Sequence, residues 1–218
     1  MPPQPLKISQ ALVPSGLSVR GVAPLAEGEW GTARAVVLVG NEGARYWTHF
    51  EQWRQAQPAG ISNPLDTWSR QVISAVAERF GGRVVMPNDR PYAPFQQWAK
   101  RAQKLHPSPV GPLIDPRLGL WHAYRGAILF DVEIPIQEVE ESIHACGACV
   151  GKFCINACPA HAFDGGAYNY AACLAHVRGP NAGECRTRCI ARNACPVGTE
   201  WRYPDEVQAF HHKAFAGL

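Results

Sequence analysis

The stretch CGACVGKFCINACP at residues 146–159 and its counterpart CRTRCIARNACP at residues 185–196 decide how this 218-residue chain is read. Together with Cys173 between them they hold all eight cysteines of the protein, and the 145 residues before Cys146 hold none. The first run is Cys146-x2-Cys149-x4-Cys154-x3-Cys158-Pro159, and the second is Cys185-x3-Cys189-x5-Cys195-Pro196. Asn156-Ala157-Cys158-Pro159 repeats as Asn193-Ala194-Cys195-Pro196, so the two runs read as related halves that each end in Cys-Pro. Hydrophobic periodicity fades here and Gly, Ala and Cys take over, so side chains alone cannot fill an interior.

Soft thiolates at such spacing suit an iron–sulfur cluster, in which four sulfurs converge on one inorganic core. Small neighbours such as Gly147, Ala148 and Ala157 let backbone N–H groups approach the sulfurs, and each proline turns the chain away. In two-cluster ferredoxins the cysteine before proline ligates the other cluster. That rule assigns Cys146, Cys149, Cys154 and Cys195 to one cluster and leaves Cys158, Cys173, Cys185 and Cys189 for a second. Two four-cysteine zinc sites would use the same eight thiolates, and Cys146-x2-Cys149 fits one zinc knuckle. A disulfide framework is the other alternative; it needs an oxidising compartment that the N-terminus does not announce. The ordinary bacterial run is C-x2-C-x2-C-x3-C-P, and the x4, x3 and x5 gaps depart from it. Residues 146–218 carry a net +2, and Arg178, Arg186, Arg188 and Arg192 are candidates to offset cluster charge.

Outward from the cysteines, the chain before them reads as an α+β domain. Ala33–Val39 is a nearly continuous apolar run closed by Gly40-Asn41, as in a buried strand, with a further strand around Leu17–Val22. Helices are predicted over Tyr46–Gln57, over Pro64–Phe80 with Asn63 as N-cap and Gly81-Gly82 as stop, and over Phe95–Leu105. Arg83–Met86 and Tyr124–Ile134 are the remaining strands, Val110–Leu120 a Pro/Gly-rich loop and Glu133–Ile143 a linker. The expected domains are 1–140 and 141–218. His122 and His144 read as loop or surface histidines, and His211 and His212 as part of a terminal tail.

Composition narrows the function. Seven Trp, six Tyr and eight Phe with a net charge of +3 exclude intrinsic disorder. The small charge, without a Lys/Arg run, argues against a nucleic-acid partner. No apolar stretch reaches membrane-spanning length, and the start MPPQPLKISQ lacks the basic and apolar regions of a secretory signal. The expected address is the cytoplasm.

Residues 146–198 resemble the dicluster ferredoxin module of epoxyqueuosine reductases and, more distantly, of reductive dehalogenases, which also place a single Cys between the runs as Cys173 is placed here. Residues 36–136 resemble the cobalamin-binding domain of that group and of the cobalamin-processing (decyanating) chaperone family. The likeness rests on Pro87-Asn88-x-Arg90-Pro91 with Gln96 or Gln97 after it, and on the run from Ile114 to Ala127, IDPRLGLWHAYRGA. The resemblance implies a nitroreductase-like α+β domain with an appended ferredoxin-like module, and two [4Fe–4S] clusters. It also implies a corrinoid (cobalamin) pocket with Arg125 at its centre and Arg117, Trp121 and Tyr124 beside it. The chain departs from it at Met86, where the chaperone family has His, and in lacking a recognisable catalytic carboxylate. Three functions compete: a redox protein passing electrons from its clusters to that pocket, a ferredoxin-type carrier docking a partner enzyme, and a non-redox cobalamin-handling or structural metal protein.

Overall fold

The computed structural model describes residues 3–136, 139–141 and 143–217. Its elements in chain order are α1 (Pro5–Leu12), β1 (Leu17–Pro24), β2 (Ala35–Glu42), α2 (Trp47–Gln55), α3 (Pro64–Phe80), β3 (Arg83–Val85), α4 (Phe95–Gln103), β4 (His106–Pro107), β5 (Leu113–Ile114) and β6 (His122–Phe130). Five helices follow: α5 (Ala145–Ala148), α6 (Phe153–Asn156), α7 (Tyr170–Arg178), α8 (Ile190–Asn193) and α9 (Asp205–Ala216). The chain is thus mixed α+β, and it divides into two compact units. One is Met1–Lys104 with His122–Glu141; the other is Leu105–Trp121 with Ser142–Leu218. Residues 105–121, which the sequence boundary at 140/141 leaves with the first domain, here pack with the cysteine-rich part.

The first unit is built on an antiparallel sheet in the order β1-β2-β6-β3. β2 is the apolar run expected to be buried, and Ala35 to Asn41 are all buried. It pairs with β1 on one side and β6 on the other, so every ladder group along it finds a partner. β6 starts at His122, two residues before the expected strand, and ends at Phe130; Ile134 lies beyond it. α3 runs over the predicted residues and stops at Gly81, whose φ of 71° is the left-handed cap that glycine adopts without strain. Asn63 occupies the N-cap position but its side chain does not cap. It donates to Ser62 Oγ instead, leaving the helix start to Pro64 in the first turn. α1 has no counterpart in the sequence reading: Pro5 opens it, and Ile8 and Leu12, one turn apart, are wholly buried. Its prolines mask the helical spacing of two core residues. Residues 137, 138 and 142 of the predicted linker lie outside the described residues.

An ion pair ties this unit's surface together. Arg101 donates to Glu29 at 2.9 Å, and Trp98 Nε1 donates to the same carboxylate at 3.1 Å. The Arg101 guanidinium, against some desolvation, holds the Glu29 carboxyl down to about 2 from an ordinary 4.5. A depressed carboxylate stabilises the fold fully above its unfolded pKa and loses that contribution as pH falls through the folded one. Half-exposed as the pair is, its contribution is about 1 kcal/mol. Glu29→Gln is therefore expected to lower stability by that amount at pH 7 and to flatten the pH dependence between 4.5 and about 2, as urea midpoints across that range would show.

In the second unit β4 and β5 form a two-stranded hairpin that the sequence reading treats as loop. Next, Asp115 Oδ1 accepts the N–H groups of Arg117 (2.8 Å) and Leu118 (2.9 Å), closing a tight turn to Gly119. This turn lies against the chain just past the second Cys-Pro. A Cβ on Gly119 would come within 2.0 Å of the Val197 carbonyl oxygen, and one on Gly198 within 2.3 Å of the Leu118 backbone. Two glycines with positive φ permit that backbone-to-backbone approach, which is why residues 105–121 belong here. Three small clusters of buried residues in this unit each include a cysteine: Cys158 with Ala162, Phe163 and Ala191; Cys195 with Ile114 and Leu120; Cys185 with Val177 and Ala216. The expected terminal tail is helix α9; its His212 Nδ1 lies 3.1 Å from the Cys185 carbonyl oxygen, and a buried apolar face (Val207, Ala216) outweighs the polar look of the segment.

Candidate metal centres in the cysteine-rich unit

All eight cysteines are free thiols, so the disulfide alternative has no counterpart in the structure. Thiols of the two runs lie near one another. Cys146, Cys149, Cys154 and Cys195 line one cavity of about 420 Å³, with Ile114, Ala148, Val150, Lys152, Phe153 and Val197 among its walls. Burial pushes the Cys146 thiol up, and its neighbours Cys195, Cys154 and Cys149 push it further. Burial likewise raises Cys185, and the neighbouring Cys189, Cys158 and Cys173 raise it further. Cys173 and Cys189 also pack on the cluster that contains Cys158. Cys154 packs on that same cluster, so the packing brings thiols of both runs together.

The repeat in the sequence explains the exchange. α6 and α8 are single helical turns ending on the asparagine of each Asn-Ala-Cys-Pro repeat. Asn156 Nδ2 donates to Gly151 O at 3.0 Å, and Asn193 Nδ2 to Cys189 O at 2.9 Å, so each amide pins the turn that bears a cysteine. Cys195, which follows the second turn, lines the cavity with Cys146, Cys149 and Cys154 of the first run.

Among the described residues no three His, Cys, Asp or Glu side chains converge closely enough to hold a single metal ion. A tetrahedral zinc with bonds of about 2.3 Å needs its sulfurs roughly 3.8 Å apart. In a cubane each thiolate holds a different iron. The cysteine-rich region is compatible with iron–sulfur chemistry. Burial raises the thiols of Cys146, Cys154, Cys185 and Cys189 above their ordinary value, and a bound metal would be needed to hold them as thiolates.

Several supporting groups escape the sequence reading. Lys152 Nζ donates to the Cys146 carbonyl oxygen at 2.7 Å. The ring of Tyr168 stacks on Phe163, a residue of the cluster that contains Cys158, at 5.3 Å. Nothing in the spacing separates Tyr168 from Tyr170, so only the fold singles it out. Of the four candidate arginines, Arg178 donates to Ala216 O, Arg186 to Gly179 O, and Arg188 pairs with Glu184 and Asp205. Arg192 is different: its guanidinium lies 4.4 Å from the Trp121 ring centre and 4.8 Å from that of Tyr203.

The residues assigned by resemblance to a corrinoid pocket divide between the units. Arg117 and Trp121 belong to the cysteine-rich one, where Arg117 lies over Trp201 at 4.8 Å and Trp121 is wholly buried. Tyr124 and Arg125 belong to the sheet unit. Tyr124 donates to Gln103 at 2.7 Å; Arg125 Nε donates to Asn41 at 2.9 Å, and its guanidinium lies 5.2 Å from the Tyr46 ring centre. None of the four lines the cysteine cavity.

No protein-family model and no curated protein sequence matches the chain. Its fold does have solved counterparts. The structure of epoxyqueuosine reductase from Streptococcus thermophilus aligns with a TM-score of 0.59 at 13% identity, over 91% of this chain and 67% of that one. An epoxyqueuosine reductase crystallised with an epoxyqueuosine-modified tRNA-Tyr stem loop gives 0.53 at 12%, over 83% and 52%. A selenomethionine-labelled epoxyqueuosine reductase gives 0.54 at 11%, over 83% and 53%. The likeness is one of fold, and the chain spans about half the length of the first of these structures and two thirds of the Streptococcus one. Among the described residues no helix is long and apolar enough to cross a membrane.

Proposed function

We propose that the chain is an iron–sulfur redox protein whose cysteine-rich unit, a ferredoxin-like module, holds two [4Fe–4S] clusters and relays single electrons. The observation that carries this is the gathering of Cys195, from the second run, with Cys146, Cys149 and Cys154 around one cavity. In a two-cluster ferredoxin each Cys-Pro reaches across to the other cluster, and a zinc knuckle has no use for that exchange. The second set is Cys158, Cys173, Cys185 and Cys189. Once bound, such clusters supply one-electron storage at low potential. The protein's residues do the rest: the thiolates hold, the Asn156 and Asn193 amides fix the ligand turns, and the surrounding apolar walls limit water.

The donor is a redox partner protein. Val150 and Phe153 line the first cavity while remaining 96% and 54% exposed, an apolar rim that suits transient docking beside the cluster. A corrinoid on the sheet unit is the finer part of the resemblance. Tyr124 and Arg125 already engage Gln103, Asn41 and Tyr46 there, so no step is routed through a corrinoid. The tRNA stem loop in one of the related structures is that protein's ligand. This chain's net charge of +3, without a basic run, supports a function without nucleic acid.

The test is anaerobic purification of the full chain with iron, sulfide and zinc analysis. About eight iron and eight sulfide per chain, with a broad visible absorption that dithionite bleaches, is the expected result. Stoichiometric zinc with neither sulfide nor bleaching would overturn the proposal.

A further inference from the structure

α7 carries Cys173 in its first turn, and Asn169 fixes where that turn begins. The Asn169 side-chain oxygen accepts the Ala172 N–H at 3.0 Å, and its backbone carbonyl accepts the Cys173 N–H at 3.1 Å. Cys173, His176 and Val177 follow at i, i+3 and i+4, so they share one face of the helix. Ala171, Ala175 and Arg178 are exposed on the opposite face. Val177 is buried with Cys185 and Ala216, and Cys173 packs on the same cluster, so the face that bears His176 is the one turned toward thiols. The helix also packs on the short turn Gly183–Arg186, which contains Cys185. Helical side chains lean toward the N-terminus, which lays the His176 imidazole over the turn of Cys173. Its Nε2 is buried and has no hydrogen-bond partner among the described residues. A buried polar nitrogen left in that state costs its full desolvation, and native structures pair such groups.

Among the described residues His176 is not part of a group of three side chains placed to hold a single metal ion, so ligation does not account for it. Cluster sulfurs, by contrast, accept N–H hydrogen bonds from outside the ligand set. We propose that His176 is a hydrogen-bond donor to the metal centre that includes Cys173, with its Nε2–H directed to a sulfur of the bound cluster. A neutral imidazole carries one N–H, and the acceptor places it on Nε2. Such a bond favours the more negative, reduced form and so raises the potential of that centre. The inference rests on the two-cluster function proposed above.

The experiment is pulsed EPR with a dithionite redox titration of the full chain, purified anaerobically with nitrogen-15-labelled histidine. Parent, His176→Phe and His176→Gln forms are compared, each first analysed for iron and sulfide. Expected is a weak histidine nitrogen coupling in the reduced parent that is lost in both variants. His176→Phe should lower the midpoint of one centre and leave the other unmoved; His176→Gln, whose amide still offers an N–H, should bring that midpoint part of the way back. Phe fills the space of the imidazole, so a role in packing alone would leave both midpoints in place. With full iron and sulfide, a parent without the coupling, a coupling unchanged in both variants, or unmoved midpoints in His176→Phe would each overturn the inference while leaving the clusters standing. A coupling as strong as that of a directly bound imidazole would overturn it as well, by making His176 a ligand. A parent protein without iron and sulfide would instead sink the function it builds on. Should His176→Phe fail to load, His176→Gln decides in its place.

Discussion

Cys195→Ala is expected to cost half of the bound iron and sulfide, from about eight of each to about four, and adding Cys146→Ala to cost nothing further. The two residues lie 49 positions apart in different runs, yet they line the same cavity. Once one ligand is gone, the second no longer has a cluster to hold, so the double variant should equal either single one. The complementary pair separates the crossed arrangement from a local one. Cys146→Ala with Cys158→Ala, both within a single run, should remove both clusters and leave almost no iron. If each run held its own cluster, the outcomes would exchange: the first pair would empty the protein and the second would keep half. Anaerobic iron and sulfide analysis reads the difference directly.

Stripping the metal is expected to unfold one unit and spare the other. In the sheet unit Ile8, Leu12, Val37, Phe50, Ile73, Trp98 and Ile128 are wholly buried, and that core owes nothing to sulfur. In the cysteine-rich unit three small clusters of buried residues each include a cysteine, and burial raises the thiols of Cys146 and Cys185. Binding free energy in such a unit is folding free energy. After oxidative removal of iron with a chelator, amide exchange in α7 and α9 should speed up by about a thousandfold, while β2 and β6 keep their protection. Equal loss in both units, or protection of α7 and α9 without iron, would show that side chains alone hold the cysteine-rich unit.

The sequence was most legible where one-dimensional signals suffice. β2 is a continuous apolar run, and α3 has helical spacing between a proline and a left-handed glycine, so both lie close to where periodicity puts them. The same logic failed on α1, where proline composition hid two core contacts, and on α9, whose histidines look like a solvated tail. It failed on β4 and β5 because strands of two residues have no periodicity to detect. Arg125 and Tyr124 stood out by resemblance, but in the fold they bond to Asn41 and Gln103, partners too distant along the chain for any motif to reveal.

By itself the sequence determined that eight thiols occupy the last third of the chain in two related runs, because the count and spacing of ligands are properties of the linear order. The tertiary structure alone decided that residues 105–121 pack with that third, since the approach of Gly119 to Val197 is a contact between distant backbones. It alone also decided that Arg192, of the four candidate arginines, lies between the rings of Trp121 and Tyr203. Fixed charges and hydroxyls act through distance in space, and only folding sets that distance.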